Sequence, residues 1–275
     1  MVGVSQGREE LVEFATRFKQ PAAPGIELVE TARYRVTVQP DYPVPGPNSA
    51  SWIRCRSDEA SEVINGARAI FARHRLRFMW ILDPETEPED FPNHLAAHDV
   101  FAEPEAPEVA VMVLPINAEV RAPAIPGLEI RDALADIETF RAADAVNAAA
   151  FGDSPRGSTP DRAAAQERRR RDQLAAGNRR LLLATVDGEP AGSAGLTLFP
   201  PFGALVNGGA VLDKFRGRGV YRTLIAERLR LARDAGVAGL SVWGGPMSKP
   251  ILARLGFEAV GWRRFYPDSS QSDVR

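Results

Sequence analysis

Asn207 to Leu224 reads NGGAVLDKFRGRGVYRTL and is the stretch whose residue types and spacing carry the clearest chemistry. An apolar run ends at Val211-Leu212, the turn Arg216-Gly217-Arg218-Gly219 follows, and a helical pattern opens at Val220-Tyr221. Such a turn aims successive backbone N–H groups at one point, and the helix N-terminus adds about half a positive charge. Glycines let a ligand approach the backbone closely, and arginines supply forked cationic donors. The spacing predicts a seat for a diphosphate. It is neither of two familiar phosphate motifs: G-x-x-x-x-G-K-[ST] is absent, and Arg222 stands where the third glycine of G-x-G-x-x-G would be.

Other reactive residue types point to less. His94 and His98 lie four apart in HLAAH, but the glutamate of H-E-x-x-H is missing and no third ligand is evident, so no metal site is expected. Arg168 to Arg171 sit in QERRRRDQ between Glu167 and Asp172, which reads as a solvated helix face. Cys55 is the only cysteine, which excludes an intramolecular disulfide and a multi-cysteine metal centre and fits a reducing, cytoplasmic setting. Lys and Arg number 34 against 36 Asp and Glu, so a net charge of −2 provides no global field for nucleic acid or an acidic membrane. The N-terminus lacks the basic-then-apolar order of a signal peptide, and no apolar run is long enough to span a bilayer. With 44% hydrophobic residues over 275 positions the chain can bury one large core or two ordinary ones.

Positioning the turn requires strands and helices around it. In the C-terminal half the pattern predicts a strand at Leu128–Arg131, a helix over Asp132–Ala150, a polar loop, and a helix over Asp161–Ala176. Strands follow at Arg180–Val186 and Glu189–Leu198, joined by the hairpin signal Asp187-Gly188, and at Ala204–Leu212. An amphipathic helix from Gly219 to Ala235 is closed by Gly236; Ala238–Trp243 is a strand, Lys249–Leu255 a short helix ended by Gly256, and Phe257–Phe265 a last strand. Four prolines in Gln39–Asn48 make that run a loop or edge segment, and PINAEVRAPAIP after the apolar EVAVMVL marks a domain boundary. The division expected is residues 1–120, a linker at 121–127, and a second domain at 128–275. Arg77–Val100 and Leu240–Phe257 share the order strand with Trp, proline-marked loop, helix with a Leu-Ala pair. Each follows a helix, Asp58–Arg73 behind Ser57 as N-cap in the first half, and Trp80 and Trp243 take matching core positions.

Arg216-Gly217-Arg218-Gly219-Val220-Tyr221 between a strand and a helix resembles the acetyl-CoA motif [Q/R]-x-x-G-x-[G/A] of the GCN5-related N-acetyltransferases, the GNAT family; Tyr221 stands where the family more often has Gly or Ala. The resemblance runs over most of Leu128–Tyr266, through Pro190-Ala191-Gly192 after the hairpin and Ser248–Phe257 (SKPILARLGF), similar to the family's "rLGF" ending. It implies an α/β (α+β) GNAT fold, a mixed, mostly antiparallel sheet flanked by helices, in tandem with a degenerate GNAT-like N-terminal half. It also implies acetyl-CoA as acyl donor, with no metal, and a small primary amine or peptide amine as acceptor. Two strands are expected to splay after Leu212 and Trp243 to admit the pantetheine arm, with Val211 and Leu212 contacting it and offering a backbone oxyanion donor. Arg216, Gly217, Arg218, Gly219, Val220 and Tyr221 would then hold the diphosphate.

The tyrosine that many members carry just before "rLGF" as general acid is Leu252 here. Tyr266 and Ser248 are the catalytic candidates that remain, with Tyr221 a third hydroxyl nearby, and water as an alternative proton carrier. The missing acid keeps a second reading open, a non-catalytic acyl-CoA-binding regulatory or interaction module. The acceptor-facing loops, about Phe151–Pro160 and Phe199–Gly203, carry no diagnostic charge. Nothing resembles R-G-x-G between Trp52 and Asp58, so the first half is expected to lack an acyl-CoA site.

Overall fold

The computed structural model describes residues 2–150 and 160–270. In chain order its elements are α1 (Val2–Arg17), β1 (Glu27–Glu30), β2 (Arg35–Val38), β3 (Ser49–Ser51), α2 (Ala60–His74), β4 (Phe78–Leu82), α3 (Phe91–Ala96), β5 (Glu108–Pro115), β6 (Leu128–Asp132), α4 (Ile137–Ala150), α5 (Pro160–Ala176), β7 (Arg179–Val186), β8 (Glu189–Phe199), β9 (Gly203–Val211), α6 (Val220–Asp234), β10 (Gly239–Gly244), α7 (Lys249–Arg254) and β11 (Glu258–Asp268). The chain divides into two compact units. One comprises Met1–Lys19, Val111–Val242 and Pro250–Val260; the other comprises Gln20–Ala110, Trp243–Lys249 and Gly261–Arg275.

In the first unit the strands run in the order β5-β10-β9-β8-β7-β6. β6 through β9 are antiparallel neighbours, and β9 pairs with β10 in parallel. Asp187 and Gly188 close the β7–β8 hairpin at φ 51° and 81°, the two positive values a type I′ turn requires. Because side chains alternate along a strand, Leu182 and Ala184 pack with Val220 and Leu224 of α6, while Leu183 packs with Ala143 and Val146 of α4 on the opposite face. That two-sided burial is why RRLLLATV is apolar without alternation. The helix expected from Asp132 begins at Ile137. Asp132 Oδ1 accepts the Leu134 N–H at 2.9 Å in a turn, and Asp136 Oδ1 accepts the Thr139 N–H at 2.8 Å as the true N-cap.

Helix α1, absent from the elements expected, adds Leu11 and Phe14 to a cluster with Val111, Val113 and Phe199. The basic run on α5 is more than a solvated face. Arg169 pairs with Asp144 at 2.9 Å, and Arg170 donates to the Leu134 and Ala135 carbonyls at 3.0 and 2.8 Å, tying α5 to α4 and the turn before it.

In the second unit the order is β1-β2-β3-β4-β11, with β3 and β4 parallel and the other pairs antiparallel. Helix α2 lays Val63, Ile64, Ala67, Ile70 and Phe71 on this sheet, against Phe78, Trp80 and Tyr266. Phe71 stacks on Phe78 at 4.0 Å. The helix starts at Ala60 after a 3₁₀ turn at Ser57–Glu59, and Ser57 is no cap: its hydroxyl bonds His94 Nε2 at 2.9 Å, while Glu59 Oε2 accepts the Arg56 N–H. The expected repeat is present in topology. Each unit contains a parallel strand pair bridged by a fifteen-residue helix, β3-α2-β4 and β9-α6-β10, and each second strand is followed by a six-residue helix.

Candidate functional site

Strand β9 is kinked. Its register against β8 shifts between Ala194 and Gly195, which face Gly209 and Asn207, so Gly208 is the extra residue of a bulge and takes φ 43°. The parallel ladder to β10 is short for the same reason: it consists of Leu240↔Ala204 and Ser241↔Leu205. The fork therefore opens after Leu205 and Ser241, well before Leu212 on β9 and slightly before Trp243 on β10, because the bulge turns β9 away before its end. Among the described residues, one edge of β9 has no strand partner from Val206 onward. This leaves a row of backbone donors and acceptors for an extended ligand.

The two strand-end residues are not equivalent. Leu212 N–H donates to the Ala191 carbonyl at 2.9 Å and is spent on β8. Alternation along the strand turns the Val211 N–H to the open edge, so of the two only Val211 has a donor available there. Arg216 sits on the same edge, its Nε 3.2 Å from the Val211 carbonyl and its Nη2 2.9 Å from Asp213.

The turn itself is anchored from below. Phe215 is buried and packs with Val220 and Leu224, and the cations of Lys214 and Arg218 lie over its ring at 5.2 and 5.5 Å. Lys214, which the motif reading passed over, also pairs with Glu189. Gly217 and Gly219 take φ 76° and 92°, values a side chain would strain. Gly219 is the N-cap of α6 and offers no side-chain cap; no acidic residue lies in the first turn. The leading N–H groups of Val220, Tyr221 and Arg222 therefore have no intrahelical acceptor, and the helix dipole is unopposed. Val220 is buried, so only its backbone is presented at the turn; Tyr221 is half-buried against the α6 core.

Beneath the bulge lies Arg228, fully buried. Burial pushes its guanidinium down to about 10, and the nearby Tyr221 hydroxyl opposes that shift without completing a bond to Nη2. Arg228 Nε donates to the Leu224 carbonyl at 3.1 Å and Nη1 to the Gly195 carbonyl at 3.4 Å.

The catalytic candidates fall in the other unit. Tyr266 pairs with Trp80 across β4 and β11 and is buried in that unit's core. Ser248 directs its hydroxyl at the Gly245 carbonyl, 3.4 Å away, before α7. Leu252 is fully buried. Trp80 is a core residue as expected, its indole N–H 3.0 Å from Asp268, but Trp243 is 44% exposed, with Phe265 at 5.8 Å and the Arg263 guanidinium at 5.9 Å. Residues 151–159 of the first acceptor loop lie outside the described residues. Among the described residues no cluster of His, Cys, Asp or Glu is suited to a metal, and no helix is long and apolar enough to cross a membrane.

A forked parallel pair beside a glycine-arginine turn and an uncapped helix defines this mixed α/β fold, and solved structures share it along nearly the whole chain. A GCN5-related N-acetyltransferase from Kribbella flavida is 18% identical with a TM-score of 0.61, covering 98% of this chain and 95% of that one. A conserved protein from Staphylococcus epidermidis is 12% identical at a TM-score of 0.65, covering 90% and 95%. A tandem GNAT protein from the clavulanic acid biosynthesis pathway is 18% identical at 0.58, covering 96% and 94%. The fold is the GNAT fold in tandem form. Residues 148–257 match the family described as the acetyltransferase (GNAT) family, and this stretch is a GNAT domain, whose family chemistry is acyl-CoA-dependent N-acetyl transfer. No curated protein matches the sequence.

Proposed function

We propose that the protein transfers an acetyl group from acetyl-CoA to a primary amine of a small molecule or peptide by direct attack on the thioester. The observation that carries this reading is the unpartnered edge of β9 leading into the turn Arg216–Gly219 and the uncapped start of α6. The pantetheine arm would add along that edge by backbone hydrogen bonds, and the diphosphate would take the N–H groups of Val220 and Tyr221 and the Arg218 guanidinium. The Val211 N–H is the oxyanion donor of this reading; Leu212 contributes an apolar contact. The neutral amine attacks the carbonyl carbon, a C–N bond forms and the C–S bond breaks, and the proton lost by the attacking nitrogen passes to the leaving thiolate.

Water is the proposed proton carrier. Ser248 engages a carbonyl and Tyr266 is buried, so neither is assigned that role. The absent hydroxyl at Leu252 favours a second reading, a module that binds acyl-CoA without turning it over. Thiol release from acetyl-CoA, measured with a panel of primary amines, separates the two. Amine-dependent release supports transfer, and tight calorimetric binding without release supports the module.

The preceding half, with domain limits near 1–120 and 121–127 as linker, is proposed to bind no acyl-CoA. Where β3 and β4 end, its chain closes on itself: Arg54 pairs with Asp83 at 3.2 Å, the Glu87 N–H donates to the Ile53 carbonyl at 3.1 Å, and the Cys55 N–H donates to the Glu87 carbonyl at 3.0 Å. Calorimetry with acetyl-CoA is expected to give one equivalent per chain; two would overturn this.

A further inference from the structure

Among the described residues, three buried side-chain atoms without a hydrogen-bond partner lie around β9 of the GNAT domain; Thr185 Oγ1, on β7, is another. Ser241 Oγ stands on the last rung of the β9–β10 ladder. Asn147 Oδ1 would lie 3.8 Å from a Cβ on the bulged Gly208. Arg228 Nη2 would lie 3.4 Å from a Cβ on Gly209, reaching β9 from the α6 side. Native interiors leave few such atoms, so each calls for a reason.

Arg228 is the most costly of the three. It is wholly inaccessible, and among the described residues no carboxylate forms an ion pair with it; Leu224 and Gly195 supply neutral carbonyls, and the nearby Tyr221 hydroxyl is the one side-chain group that favours its charged form. A buried cation without a counter-charge destabilises the fold, and replacing it with an apolar residue of similar volume is often neutral or favourable. Gly209 matters equally, because a side chain there would meet the Tyr221 ring at 3.0 Å and the guanidinium at 3.4 and 3.6 Å. The glycine lets the charge approach the strand backbone from below. Two residues further along the strand, its open edge carries the Val211 N–H.

We propose that Arg228 is a positioning residue for acyl transfer: its buried charge, set under Gly209, polarises the β9 backbone against which the thioester oxygen becomes an oxyanion. The proposal rests on the acyltransferase reading above. The cation touches neither substrate; it acts through the strand, in a region from which water is excluded and where a fixed charge acts over several ångströms. A ground-state thioester carries little charge on its oxygen, so the effect falls on turnover and hardly on acetyl-CoA affinity.

Two variants separate charge from hydrogen bonding. Arg228→Lys keeps the charge, and Arg228→Gln keeps a donor for the Gly195 or Leu224 carbonyl without the charge. The expected result is that R228Q binds acetyl-CoA within about threefold of wild type yet loses roughly ten- to a hundredfold in kcat, while R228K recovers much of the loss. The thioester carbonyl stretch of bound ¹³C-labelled acetyl-CoA, read by isotope-edited infrared spectroscopy, should be lowered in wild type and R228K and return toward the free value in R228Q. Equal kcat and equal stretch in R228Q and wild type would overturn the proposal, as would rescue by Gln in preference to Lys. If neither variant folds, the wild-type complex decides: a stretch no lower than that of acetyl-CoA in water overturns it. Failure of the wild type to bind acetyl-CoA would instead remove the underlying reading, and binding without turnover would leave the module reading; both outcomes are distinct from a variant matching an active wild type.

Discussion

Pro123 lies directly over Gly219: a Cβ built on that glycine would stand 2.4 Å from Pro123 Cγ and 3.6 Å from Ile125 Cδ1. The segment between β5 and β6 thus crosses the start of α6, and Arg233 ties it down through the Ile116 carbonyl at 2.9 Å and the Ala118 carbonyl. The linker that reads in sequence as a domain boundary is also part of the wall of the turn.

Gly219→Val therefore does two things. It forces a β-branched residue to φ 92°, at about 1–2 kcal/mol, and it pushes Pro123 off the helix start. Both the melting temperature and acetyl-CoA affinity should fall, the former by several degrees. Gly217→Ala is the cleaner probe, since nothing lies within 4 Å of the added carbon. Calorimetry and a thermal melt on the two variants should show Gly217→Ala losing about 1 kcal/mol of stability and Gly219→Val clearly more.

Arg216 and Arg218 are predicted to separate in the same assays. Arg218 is exposed and its one contact of note is the Phe215 ring, so Arg218→Ala should weaken acetyl-CoA binding roughly tenfold, flatten its salt dependence, and leave the melt unchanged. Arg216 also holds the Val211 carbonyl and Asp213, so Arg216→Ala should in addition lower the melting temperature slightly.

Tyr266 tests the catalytic assignment. Its ring is buried among Trp80 and its neighbours, so Tyr266→Phe should keep kcat within about threefold, whereas Tyr266→Ala should cost about 3 kcal/mol in a denaturant titration. A hundredfold drop in kcat for the Phe variant would restore the tyrosine as an acid.

Asp268 predicts an acid-sensitive second unit. Burial alone would raise its carboxyl, but hydrogen bonds from Arg68 at 2.9 Å, Ser270 at 3.1 Å and the Trp80 indole at 3.0 Å outweigh that and hold it below the usual carboxylate range. A carboxyl depressed in the folded state contributes its stability at pH above the unfolded value, near 4, and loses it as pH falls through the folded value. Asp268→Asn should cost about 3 kcal/mol at pH 7, a gap that narrows below pH 4 in urea titrations across pH.

Local rules carried much of the reading. The type I′ hairpin needed only Asp187-Gly188, the end of α6 only Gly236, and the turn Arg216–Gly219 only its glycines and arginines, since backbone conformation at such positions is set within a few residues. Pattern alone put an amphipathic helix after that turn, and the family resemblance supplied the fold around it.

Contacts between residues distant in sequence decided the rest. The bulge at Gly208 moved the opening of the fork to Leu205 and Ser241, because register depends on what β8 and β9 each present to the other. Ser57 looked like a cap until His94 claimed its hydroxyl. Trp243 and Trp80 looked alike in sequence, yet one is exposed and the other lies at the centre of a core. Arg228 lies on the helix that the sequence predicts only as amphipathic. Only packing α6 on the sheet buried its charge beneath Gly209, because burial is a property of the neighbours that surround a residue and not of the residue itself.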